Sequence, residues 1–163
     1  MHAALSALTA SRAPAACFVA MGIVWGSFMA AMPDVKAALG VDDGAMGLLL
    51  IWGSVAAIAM MTAAPRLGTP LGRLALPGFT VLMGLALASM GLVGGALGFV
   101  LALMAMGTAT GALDVFMNAR LSAIEVARGR SLMNLNHGLY SLAFAGGAAL
   151  TGLARASGWG FDA

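Results

Sequence analysis

Four stretches of the chain carry no Lys, Arg, Asp or Glu: residues 13–33, 44–65, 74–113 and 131–154, runs of 21, 22, 40 and 24 residues. A helix rising about 1.5 Å per residue needs about 20 apolar residues to cross about 30 Å of hydrocarbon. Three runs suit one crossing each. The longest suits two, divided at the glycine-rich GLVGGALG of 91–98, which supplies a tight turn. The stretch 98–113 is short for a crossing, so the fourth helix is expected to continue through Asp114 to about Asn118. Lipid demands that every backbone amide be paired internally, which favours helices. A β-barrel would need alternating polarity over about 10 residues per strand, and no such pattern occurs.

The expected fold is therefore an all-α, polytopic transmembrane helical bundle of about five spans, at 14–33, 45–64, 74–91, 97–119 and 132–154. Residues 1–13 form a cytoplasmic tail and 155–163 an outward, periplasmic end. Composition excludes the alternatives. Only 9% of the residues are charged and 61% are hydrophobic, whereas soluble domains carry about 25% charged residues. Fourteen charged side chains, 8 basic and 6 acidic, cannot cover the surface of a soluble fold of this size. A water-soluble enzyme, a disordered tail and a nucleic-acid module are excluded on that ground. Cys17 is the single cysteine, so neither an internal disulfide nor a four-Cys zinc site is available. Met is abundant at 13 residues and suits gap-filling. Beside it the chain has only two histidines, His2 and His137, and Cys17, and within the spans only His137 and Cys17 are candidates, so no metal or cofactor is expected. The opening MHAALSALTASR lacks the positive start and apolar core of a signal peptide.

Orientation follows from the basic residues. Five alternating spans put Arg12, Arg66, Arg73, Arg120, Arg128 and Arg130 on one side, and Lys36 and Arg155 on the other. The N-terminus and the loops 65–73 and 119–131 are thus cytoplasmic, while Asp34, Asp42, Asp43 and Asp162 face outward.

Ionisable groups within spans are costly and mark functional positions. Asp114 is the one acid inside a hydrophobic run. Gly107, Gly111, Asp114 and Asn118 recur at spacings of three and four, a small polar face on one helix. Asn134, His137 and Ser141 share a face of the next helix. Asp114 lies six residues before Arg120 and His137 seven after Arg130, so each sits about 10 Å inside the cytoplasmic boundary. An acid and an imidazole at one depth suit proton coupling. The same residues also suit structural roles: Asp114 as a latch to Arg120 or a loop arginine, His137, Asn118, Asn134 and Asn136 as interhelical hydrogen-bonders. Trp25 and Trp52 lie within helices 1 and 2, where cavity lining competes with packing or lipid contact. The Gly22-x-x-x-Gly26 and Gly107-x-x-x-Gly111 pairs permit close helix contacts. A hydrolase using Ser141, His137 and Asp114 is excluded, because Ser141 and His137 are one turn apart on one helix and no Gly-x-Ser-x-Gly elbow exists.

The segment GALDVFMNARLSAIEVARGRSLMNLNHGLYSLAFAGGA resembles the fucose-permease-like branch of the major facilitator superfamily. That branch carries an acid and then an Asn in helix 4, followed by HGxxSxG in helix 5. Asp114, Asn118, His137, Gly138 and Ser141 match, while Ala143 replaces a usual glycine. MTAAPRLGTPLGR is similar to the superfamily's cytoplasmic loop signature through Arg66 and Gly68, with Met61 and Pro65 at its usual glycine and acid. GSFMAAMP at 26–33 and GALDVFMN at 111–118 keep their Gly and Met in register, an echo fitting inverted three-helix repeats. The resemblance covers roughly residues 15–155. It implies the first five helices of a twelve-helix proton-coupled transporter of a small polar, sugar-like solute in a bacterial inner membrane. Asp114 would carry the coupling proton, His137 would tune it, and Asn118, Asn134, Ser141 and Trp25 would line the cavity. The family architecture implies that this chain is an N-terminal portion, whose missing helices a second chain would otherwise have to supply. The competing expectation is a non-transporting membrane scaffold or subunit.

Overall fold

A computed structural model describes residues 9–92 and 94–160. The expectations for the first eight residues, for Val93 in the turn and for Asp162 lie outside the described residues. The described chain forms five α-helices and no strand. They are α1 (Arg12–Leu39), α2 (Asp43–Leu71), α3 (Ala75–Ser89), α4 (Gly95–Arg128) and α5 (Met133–Ala156), with a 3-10 turn at Gly72–Leu74 joining α2 to α3.

Local chemistry sets the ends. Pro14 stands in the first turn of α1, where its missing N–H would have found no partner. Gly40 closes α1 at φ +64°, a conformation open to glycine at no steric cost. Asp42 caps α2 by accepting the amide of Ala45 at 2.7 Å. No side chain next to α5 caps it. Instead Glu125, near the end of α4, accepts the amides of Leu132 and Met133, the latter at 2.8 Å.

Four segments are long and apolar enough to cross a membrane: Arg12–Leu39, Asp43–Gly68, Gly72–Ser89 and Gly95–Arg128. The expected fifth crossing, 132–154, is a helix but falls outside that set. Asn134, Asn136, His137, Tyr140 and Ser141 crowd its first half and Arg155 its end. A second correction concerns 65–73. Arg66 and Gly68 do not lie in a loop but inside α2, which runs through Pro65 to Leu71. Pro65 is exposed, and beyond it Gly68 seats against the Phe116 ring of α4, 3.3 Å from where a Cβ would stand.

Contacts fix the directions. The start of α1 meets the start of α5 (Ser11 with Asn136) and its end meets the end of α5 (Asp34 with Arg155), so these two helices are parallel. Gly53 of α2 meets Gly107 of α4 and Ala57 meets Gly111, a second parallel pair. Thr110 of α4 bonds Met83 of α3 while Phe116 stacks on Phe79, so α3 and α4 are antiparallel. Cys17 of α1 meets Thr80 of α3, and the two run together. All six arginines that the sequence assigns to one side therefore share one end of the bundle. Asp34, Lys36, Asp42, Asp43 and Arg155 share the other.

The two parallel pairs are related. In α1, Gly22 and Gly26 lie on the backbone of α5: a Cβ would stand 2.4 Å from the Tyr140 carbonyl oxygen and 2.1 Å from that of Phe144. In α4, Gly107 and Gly111 lie on the backbone of α2 in the same way, 2.1 Å from the Gly53 oxygen and 2.3 Å from that of Ala57. The offset between these glycine pairs is 85 residues, and it also links the buried Cys17, Phe18, Met21 and Phe28 of α1 to the buried Ala102, Leu103, Met106 and Leu113 of α4. The Trp25 indole N–H donates to Thr110 Oγ1 at 3.2 Å, again 85 residues away. A two-fold relation between two halves permits a residue to meet its own counterpart near the axis, as Trp25 and Thr110 do. The core fills the space between α1, α3 and α4, with Phe18, Phe28, Phe99, Met83, Met106 and Met117 fully buried.

Candidate functional site

α4 is the one helix in contact with α1, α2 and α3. Its half-buried Asp114 lies one turn beyond Gly111, where α2 has come close. The Asn118 amide group donates to the Asp114 backbone carbonyl at 2.8 Å and to the carboxylate Oδ1 at 3.0 Å. The acid and the Asn expected to share a face are thus bonded to each other. No ion pair reaches Asp114 among the described residues, so Arg120, which is exposed, is not its partner. The Asn118 Oδ1 is buried with no hydrogen-bond partner.

This arrangement has a simple chemical content. The Asp114 carboxyl is bonded to a neutral amide and, among the described residues, to no cation. Asn118 has a donor for the carboxylate and an idle acceptor for the hydroxyl of the protonated acid.

His137 is not bonded to Asp114. It is exposed on α5, with its ring edge-on to Phe18 of α1 at 4.9 Å. Asn134 and Ser141 are exposed on the same face. The Ser141 hydroxyl donates to the His137 backbone carbonyl at 3.1 Å, back into its own helix. Asn136 points the other way, fully buried, its amide donating to Leu132 O at 2.8 Å and to Ser11 Oγ at 3.3 Å, its Oδ1 unpartnered. Trp25 is half-buried and anchored, bonded to Thr110 and edge-on to Phe28 at 5.7 Å. Trp52 is exposed beside a shallow apolar groove between α2 and α4. The bundle therefore joins Asp114 to Asn118 and Trp25 to Thr110. Asn134, His137 and Ser141 form a separate polar strip on α5.

Among the described residues, no group of three or more His, Cys, Asp or Glu converges as metal ligands would. Three contacts escaped sequence reasoning: Thr110 as the partner of Trp25, Glu125 as the cap of α5, and the pairing of Asp34 with Arg155. The Arg155 guanidinium donates to both carboxylate oxygens of Asp34, with Nη2 to Oδ1 at 2.7 Å, and to the Ala30 carbonyl at 2.9 Å. Opposite charges at the ends of α1 and α5 were visible in the sequence, but their meeting depends on those helices being parallel.

No protein-family model, curated protein or solved structure matches the chain.

Proposed function

We propose that the chain is one bundle of a secondary active transporter of a small polar solute, coupled to protons through Asp114, of the major facilitator type and the fucose-permease-like branch. The observation that carries this reading is the internal two-fold relation. Secondary transporters of this kind are built from inverted repeats, with coupling groups near their junction. Here Trp25 and Thr110 meet across the halves, and Asp114 lies one turn beyond Thr110 on α4. Asp114 is the coupling acid, and Asn118 serves its charged and its protonated form in turn. All five helices cross the bilayer, α5 included, and its polar strip of Asn134, His137 and Ser141 faces a protein-enclosed aqueous path. A strip of that polarity is costly against lipid, so a second bundle or partner chain covers it. The membrane is a bacterial inner membrane, with the arginine end in the cytoplasm.

The test is proton movement in inverted membrane vesicles driven by a panel of monosaccharides and glycosides. Asp114→Asn is expected to abolish solute-driven proton movement while the protein still inserts and unfolds at the wild-type temperature. Unchanged coupled movement in Asp114→Asn overturns the reading.

The polar strip equally favours a second reading, a non-transporting scaffold whose partner supplies the covering helices. That reading gains if Asp114→Ala destroys folding in detergent with no separable effect on flux.

A further inference from the structure

We propose that the groove between α1 and α3 at the arginine end binds one anionic phospholipid, its phosphate held between Arg12 and Arg73. The proposal rests on the bilayer-spanning reading of the apolar helices. The groove has a volume of about 460 Å³ and is walled by Ala13, Ala16 and Cys17 of α1 and by Leu76, Pro77 and Val81 of α3. Thr80 also borders it, but its hydroxyl donates to Leu76 O at 2.8 Å and lies 3.5 Å from Cys17 Sγ, which leaves the walls apolar. From Ala13 to Cys17 and from Leu76 to Val81 the walls rise about 6–8 Å. That length suits a glycerol backbone and the first methylenes of an acyl chain, the rest lying along the lipid-facing surface.

Charge selects the headgroup. Arg12 directly precedes Ala13, and Arg73 lies in the 3-10 turn three residues before Leu76, so each stands at the arginine end of one groove wall. Both are exposed, and neither forms an ion pair among the described residues. At the opposite end the cations are paired, Lys36 with Asp43 and Arg155 with Asp34. Glu125, the acid nearest the arginine end, is committed to the amides of α5. A guanidinium matches phosphate oxygens with two parallel N–H donors. A small anion would leave the apolar groove empty, and a purely apolar occupant would leave both guanidiniums unpaired. A phospholipid with a net negative headgroup satisfies both at the depth where headgroups lie.

The experiment places the full chain in phosphatidylcholine nanodiscs containing increasing phosphatidylglycerol and measures the lipid retained on release by native mass spectrometry. Wild type is expected to retain phosphatidylglycerol over phosphatidylcholine. Arg12→Gln and Arg73→Gln are each expected to reduce that retention about fivefold, the factor for one guanidinium near an anionic surface. Arg66→Gln and Arg128→Gln, at the same end but outside the groove walls, leave it unchanged. Ala16→Leu keeps both arginines and fills the groove, so it lowers retention even if the arginine variants fail to fold. Equal losses from Arg66→Gln and Arg128→Gln, no preference over phosphatidylcholine, full competition by inorganic phosphate, or an inert Ala16→Leu would each overturn the proposal. Failure to insert into either bilayer overturns the spanning reading and the proposal with it.

Discussion

The α1–α5 and α2–α4 pairs solve one packing problem with different insurance. In each, two glycines a turn apart let parallel backbones touch, so that a carbonyl oxygen fills the place of a Cβ. In lipid no hydrophobic drive exists between helices, and close van der Waals contact has to supply the attraction. The α2–α4 pair relies on it alone: beyond the glycines it has the side chain of Leu103 against Gly53 and the ring of Phe116 against Gly68. The α1–α5 pair is also tied at both ends by polar contacts, Ser11 with Asn136 at the arginine end and Asp34 with Arg155 at the other. The difference follows from composition. The residues that meet in the α2–α4 contact, Gly53, Ala57, Leu103, Gly107 and Gly111, are apolar or small, whereas α5 carries Asn134, Asn136, His137 and Ser141 in its first half. The symmetry-related pair that carries Asp114 is thus the one free of ion pairs.

The comparison breaks most easily at the glycines. Gly26→Val and Gly111→Val are expected to cost about 3 kcal/mol each, the upper range for overpacking, because their new atoms meet backbone that has no room to give. Gly146→Ala in α5, where a Cβ meets nothing within 4 Å, should be neutral or gain up to about 1 kcal/mol from helix propensity. Thermal unfolding in detergent micelles compares the three. Equal effects at Gly26 and Gly146 would remove the backbone contact as the cause.

A smaller loss is expected from Arg155→Gln, which opens the α1–α5 pair at the aspartate end. Both partners are about a third exposed, so high salt should shrink the difference from wild type. Amide exchange in the last turns of α5 should quicken while that of α2 and α4 stays put. Quickening in both pairs would mean the tie holds the whole bundle and not one pair.

The smallest effect is expected from Asn136→Leu. The substitution gives up the bond to Ser11 but also removes the unpartnered buried oxygen, so stability should change by less than about 1 kcal/mol. A loss above about 2 kcal/mol in the same unfolding assay would show that the bond to Ser11 outweighs the unpartnered oxygen.

The helices themselves were legible from the charge-free runs, because hydrocarbon punishes an unpaired charge more than any local propensity rewards a turn. The misreading at 65–73 came from ending the span with the charge-free run and placing Arg66 and Arg73 in a loop. A proline removes one backbone hydrogen bond, and the helix nonetheless runs on to Leu71, with Gly68 packed on Phe116. The polar face of α4 was legible as a face, since three- and four-residue spacing needs no neighbour to define it. Asp114 and Asn118 share one helix, so their bond follows from that spacing. The absence of a bond between Asp114 and His137 does not, because it depends on where α5 lands.

Sequence alone determined that this chain is helical and where the polar residues fall along each helix, and it led to five expected crossings, of which four are helices apolar enough to span a membrane. Those facts depend on hydropathy and on spacing within one helix. Only the tertiary structure decided that α1 pairs with α5 and α2 with α4, that Trp25 meets Thr110, and that Arg155 neutralises Asp34. These contacts join residues 121 or 85 positions apart, where no local period operates. They are set by which glycine faces can approach closely enough to replace side chain with backbone.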